Sequence, residues 1–152
     1  MITKNDIADY IPLAANLDST RVEMFAKEQE ILRLNKLLGR EFYNDLVANP
    51  ETTPNAALIA EIKPMLVYWT YVKYLQNGAV FNTATGAVLK RTDYSIPMSD
   101  KELEYAVVSN VELARFYEST IIEFLKENKD DYPLFETGKK HTGEKILKIS
   151  TT

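Results

Sequence analysis

Apolar residues recur along this chain mainly at helical spacing, and between Met65 and Leu75 they cover more than one side of the helix they predict. From Asn55 to Asn77, Leu58, Ile62, Met65, Trp69 and Val72 fall at alternating steps of four and three, a stripe expected to face the core. A second row of Val67, Tyr71 and Tyr74 lies elsewhere on the cylinder and is a candidate contact between subunits. Pro64 removes a backbone donor and crowds the preceding turn, which predicts a kink or a restart; Gly78 ends the helix.

Upstream, Asp6 to Ile11 predicts a short helix that stops at Pro12. The next helix can be capped by Asp18, Ser19 or Thr20 and stops at Gly39. Within it Met24, Ile31 and Leu38 repeat every seven residues, with Phe25 and Leu32 beside them, as one apolar stripe. Arg40 to Val47 predicts a short helix with Phe42 and Leu46 on one face, closed by the turn-rich run from Asn49 to Pro54. The last long helix is signalled by the capping box Ser99-Asp100-Lys101-Glu102 and should run to about Asn128. Its broad apolar face takes in Leu103, Ala106, Val107, Leu113, Ala114, Tyr117, Ile121, Phe124 and Leu125. Beyond it, Tyr132-Pro133-Leu134-Phe135 predicts an extended anchor returning to the core.

Two segments break the helical pattern. Residues 79–98 hold the β-prone pieces Ala79-Val80-Phe81 and Ala87-Val88-Leu89 around a glycine-containing turn, which predicts a hairpin. An isolated two-stranded hairpin is marginal in water and its edges invite pairing with another chain. Residues 137–152 carry four lysines against Glu144 alone and two glycines, and predict a flexible basic arm. Ile146-Leu147-Lys148-Ile149 alternates well enough to add a strand to a neighbour. The expected architecture is therefore mainly α: a small helical bundle over 1–136, a hairpin or extended loop between its two longest helices, and an extended C-terminal arm. Candidate intersubunit contacts are Val67, Tyr71, Tyr74, Val80, Phe81, Val88, Leu89, Ile146, Leu147 and Ile149.

Composition narrows the function. A chain of 152 residues is the usual size of one domain and buries roughly 70% of its unfolded surface. Its net charge of −4 argues against wrapping duplex DNA through many phosphate contacts, leaving Lys90 and Arg91 as candidate local phosphate contacts. With no cysteine there is no thiolate metal site, disulfide or cysteine nucleophile. The start lacks the order of a secretory signal, and Pro64 to Val72 is too short to span a bilayer, so a soluble protein is expected.

No residues gather into catalytic chemistry. His141 is the only histidine and sits beside Lys139 and Lys140 in the arm, where nothing locks its orientation for a triad. Ten acids against four bases fill residues 100–136, but Glu118 and Glu123 are five apart and do not share a face, so a solvated helix face is the better reading than a two-metal site. Gly78 and Gly86 lack the lysine-serine pair of a phosphate loop, and Asp6 to Glu28 lacks a basic recognition helix. Tyr68, Trp69, Tyr71 and Tyr74 could stack nucleobases, but at helical spacing they read as packing or protein interface. No catalytic, cofactor-binding or metal-ligating residue is assigned.

A set of short motifs carries a resemblance. Leu37-Leu38-Gly39 before Glu41-Phe42-Tyr43, Lys63-Pro64 leading into Tyr68-Trp69-Thr70-Tyr71, Gly86-Ala87-Val88, Ser95-Ile96-Pro97, and Phe124-Leu125 with Tyr132-Pro133 span about residues 3 to 136. Together they resemble the head-to-tail connector (adaptor or head-completion) proteins of tailed phages, especially those of crAss-like and other Bacteroidales phages. The resemblance implies a homo-oligomeric ring, commonly twelvefold, at the portal vertex of the virion, made in the cytoplasm of the bacterial host. Its partners would be the portal protein and tail or further ring proteins, with DNA passing through unrecognised in sequence. An acidic subunit suits such a channel, since like charge discourages tight phosphate binding. The rival expectations are a cellular helical adaptor using the same aromatic face, and a small metal-dependent enzyme using the acidic helix.

Overall fold

Side-chain caps fix where three of the helices begin. Thr3 and Asp6 form a reciprocal capping box for α1 (Lys4–Ala8). Asp18 accepts from the Arg21 amide to start α2 (Ser19–Leu38), and Ser99 and Glu102 form the expected box for α5 (Asp100–Glu127). Between them lie α3 (Arg40–Ala48), α4 (Thr53–Asn77) and the strands β1 (Val80–Thr83) and β2 (Gly86–Leu89). The computed structural model describes residues 1–12, 18–78 and 98–135 in full, and the backbone of 80–83 and 86–89. The chain is mainly helical, a bundle of these helices.

Helix α1 starts and stops earlier than the spacing predicts, because Thr3 rather than Asp6 supplies the cap and Asp6 serves as its third residue. Gly39 adopts φ 84° and ψ 158°, a conformation open only to glycine at low cost, and turns the chain from α2 into α3 in one residue. The following turn is closed by hydrogen bonds from the Asn55 side chain and the Thr52 hydroxyl to the Asn49 carbonyl, at 2.9 Å and 3.1 Å. Helix α4 continues through Pro64, so of the kink or restart expected there the restart does not occur. Ile62, Met65 and Leu66 on either side of the proline are fully buried, so tertiary packing holds the helix where the local propensity would break it.

The core is organised around α4. The expected stripe of Leu58, Ile62, Met65, Trp69 and Val72 is buried, and so are Leu66, Val67 and Thr70. On one flank α2 runs antiparallel to it: Arg21 donates to the Asn77 carbonyl at 2.8 Å, Glu28 pairs with Lys73 at 3.1 Å, and Arg33 covers Trp69. On another flank α5 is also antiparallel, with Tyr117 stacked on Tyr68 and the Tyr132 hydroxyl, just past α5, donating to the Pro54 carbonyl. Helices α2 and α5 are therefore parallel to each other. The anchor after α5 is a turn, not an extended segment: Phe135 donates to the Tyr132 carbonyl, and the Tyr132 ring sits between Phe42 and Phe124.

The stripe on α2 departs from the sequence reading. Phe25 and Leu38 are buried with Val22, Ala26 and Leu34, whereas Met24, Ile31 and Leu32 are exposed. Gln29 and Glu30 occupy the buried arc in their place. The seven-residue repeat joined the outer face to one inner residue, because polar side chains with partners took inner positions that hydrophobic spacing alone assigns to apolar ones. Strands β1 and β2 pair antiparallel with Val80 opposite Leu89 and Thr83 opposite Gly86, so pairing extends further toward the turn than the three-residue β-prone pieces.

Asp6 ties α1 to α4 through a 2.9 Å ion pair with Lys63. Burial alone would raise its carboxyl, but hydrogen bonds from Lys63 and Thr3 outweigh it and hold the pKa at about 2. A folded-state value below the unfolded one means that this stabilisation is full above about pH 4 and is lost as the pH falls through about 2. In thermal melts, Asp6→Asn should therefore unfold at a lower temperature than the native chain at neutral pH, and the gap should narrow over that acid window. Gly39→Ala forces a side chain into positive φ and should cost about 1 to 3 kcal/mol, read as an equal loss in denaturant unfolding.

Candidate protein-interaction surface

Two polar junctions hold the helices in register. At the first, the Arg33 guanidinium on α2 lies 3.3 Å from the centre of the Trp69 ring on α4, and the indole N–H donates to Glu118 on α5 at 2.8 Å. One buried aromatic thus links three helices through a cation–π contact and a charge-assisted hydrogen bond. Burial lowers the Arg33 pKa, with Glu118 opposing and Arg115 adding to the shift. Glu118 is half-buried and engaged, which corrects the expectation that it belongs to a solvated acidic face.

At the second junction, Glu30 is buried on α2 and accepts from the α-amino group of Met1, from Lys27 at 2.7 Å and from the Tyr43 hydroxyl at 3.1 Å. Burial would raise its pKa, but the Lys27 and Met1 hydrogen bonds overcome it and the net shift is downward. Tyr43 is pushed up, first by burial and then by the adjacent Glu30 charge. The second cluster is a set of ion pairs and hydrogen bonds on Glu30, whereas the first joins Arg33 and Glu118 only through Trp69. They position helices.

The surface around this frame is rich in aromatic and aliphatic side chains. Tyr10, Tyr68, Tyr117 and Phe116 form a ladder in which successive ring centres are 6.4, 5.7 and 5.5 Å apart, crossing from the end of α1 over α4 to α5. Its inner rings are half-buried and its ends emerge, Phe116 with 64% of its surface exposed. On the outward face of α5, Tyr105 at 76% and Val108 at 49% join Phe116. Leu113, expected in the core, is exposed as well, because the buried line runs through Ala114, Ile121 and Leu125 and leaves Leu113 well round the cylinder. On the outward face of α2, Met24 is 57% and Ile31 43% exposed. Large apolar side chains gathered on one helix face, aromatic ones above all, are what protein interfaces use.

A cleft of about 340 Å³ lies between the α3–α4 turn and the turn after α5, lined by Phe42, Asp45, Asn55, Asp131 and Tyr132 among others. Asp45 is already bonded to Asn49 at 2.9 Å, and burial comes first in raising the Tyr132 pKa. Among the described residues no cluster of three or more His, Asp or Glu side chains could hold a metal ion, and no helix is long and apolar enough to cross a membrane.

The residues expected at the interface are dispersed by the structure. Val67 is completely buried and cannot meet another chain; one turn before it, Lys63 of α4 pairs with Asp6 of α1. Tyr71 and Tyr74 are half-buried and stacked on each other with centres 6.5 Å apart. Val80, Phe81, Val88 and Leu89 fall on β1 and β2, whose backbone alone is described, and Lys90, Arg91, Ile146, Leu147 and Ile149 lie outside the described residues, as do His141 and the arm. Tyr105, Val108 and Phe116 were missed, although a signal existed: they sit opposite Ala114 and Ile121 on a helical wheel, which marks a helix with two apolar faces.

The distinction between buried row and surface row is measurable. Val67→Ala should cost about 2 kcal/mol, from two lost buried carbons and the cavity they leave. Phe116→Ser should change stability by no more than about 0.5 kcal/mol in the monomer, since it removes an exposed ring. Denaturant unfolding of the two variants at low protein concentration checks both.

The chain belongs to the family of unknown function DUF6712, whose model matches residues 27–144, from the middle of α2 through the whole of α5. No curated protein and no solved structure matches it.

Proposed function

We propose that this DUF6712 chain is a noncatalytic structural subunit that assembles with copies of itself into a ring at the portal vertex of a tailed phage, joining head to tail around the DNA channel. The observation that carries the reading is the pair of apolar outward faces on α2 and α5, borne on separate flanks of α4. Two unlike patches on one subunit suit lateral contact with two neighbours, whereas an adaptor for one partner needs a single patch. The motif resemblance to connector proteins supplies the setting: the portal protein and tail or further ring proteins as neighbours, and DNA passing without sequence-specific binding.

The satisfied polar junctions support a passive role, because their charges are spent on holding helices together. The basic arm, residues 137–152, is assigned to docking on the portal or the next ring, and Lys90 and Arg91 to occasional phosphate contact.

Affinity capture of the tagged chain from phage-infected cells, with mass spectrometry of what accompanies it, tests the setting. Portal, capsid and tail proteins are expected. A single cellular protein would replace the connector by an adaptor, and metal-dependent turnover by the purified chain would replace it by an enzyme. Deleting residues 137–152 should leave the thermal transition in place and weaken recovery of those partners; loss of the transition would show that the arm belongs to the fold.

A further inference from the structure

Resting on the ring reading above, the geometry points to a specific lateral contact. We infer that the outward face of α2 on one copy packs against the outward face of α5 on the next, with the two helices parallel, Ile31 opposite Phe116 and Met24 opposite Val108. The register follows from heights along the bundle. Arg33, Trp69 and Glu118 meet at one level, and α2 and α5 both run antiparallel to α4. Counting back along both helices at about 1.5 Å per residue, Ile31 stands at the height of Phe116, and Met24 at that of residues 108 and 109. The Glu28–Lys73 and Tyr68–Tyr117 contacts give the same heights to within one or two residues, and the long Arg21 side chain reaches the Asn77 carbonyl from four residues away.

A planar ring has no rise between neighbours, so when its axis runs along the bundle, only side chains at equal height can face each other across the joint. The apolar positions of the two faces satisfy that condition. Charge agrees with it. Lys27, on the rim of the α2 face, keeps 58% of its side chain exposed while it pairs with Glu30, and stands level with the exposed Glu112 between Val108 and Phe116 on α5. Overall α2 carries four bases against three acids, and α5 seven acids against three bases. The occupant of each face is thus a second copy of this chain, in a head-to-tail contact that uses each face once.

Because the chain has no cysteine, single-site cross-linking tests this directly. Ile31→Cys and Phe116→Cys are made separately, checked for native helicity, and treated with a short bismaleimide at high protein concentration, alone and mixed. The mixture should give a species of twice the 17.4 kDa chain mass, neither variant alone should do so, and the double variant should give a ladder. Glu112→Lys should reduce the mixed product severalfold when placed on the Phe116→Cys chain, and the neutral Glu112→Gln should reduce it less. A dimer from either variant alone would overturn the proposal in favour of a two-fold contact. Rings of the native chain in electron micrographs without the mixed cross-link would overturn this pairing and leave the ring reading standing. A native chain that stays monomeric at every concentration and gives no cross-link would overturn both.

Discussion

Almost everything in this molecule follows from the burial of α4. A helix with apolar or small side chains on nearly all sides can be stable in water only if several elements cover it, and α1, α2 and α5 each cover one flank. The Trp69 junction fixes how they do so. Its ring is large enough to touch both principal neighbours, and its two kinds of polarity, a face that attracts a cation and an N–H that donates, recruit Arg33 from α2 and Glu118 from α5. Removing water from this junction strengthens both contacts, so the register of three helices is set at one point.

Covering α4 has a consequence for the helices that do the covering. Each turns one face inward, and for α2 and α5 the outward face still carries large exposed apolar side chains. A monomer that had only to be soluble would carry charge at Met24, Ile31, Tyr105 and Phe116. Instead the charges cluster in pairs that steady the interior or line the rims of the apolar faces. The buried Glu30 and half-buried Arg33 show that division of labour, each engaged across or along the helices it steadies.

Much of the helical frame was legible from local patterns. The capping box at Ser99 and Glu102, the stop at Gly39, the core stripe of α4 and the return of Tyr132 to the core all depend on neighbours close in sequence or on a clear periodicity. The interface was less legible. Val67 belongs to a second apolar row that looked superfluous for one core-facing stripe, and it is buried because a third element arrives there. Met24 and Ile31 looked like core because seven-residue spacing fits a core stripe as well as an outer one.

The sequence by itself determined which positions share a helix face, where α5 begins and where α2 and α4 end, and that no cysteine-based or histidine-rich site exists in this chain. Only the tertiary structure decided which face of each helix meets another helix and which meets solvent. The reason is physical. Periodicity is a property of one element and is fixed by its own residues, whereas cover depends on side chains brought together from distant positions, as Glu30 shows when Met1 and Tyr43 make its burial tolerable and push Met24 and Ile31 to the outside.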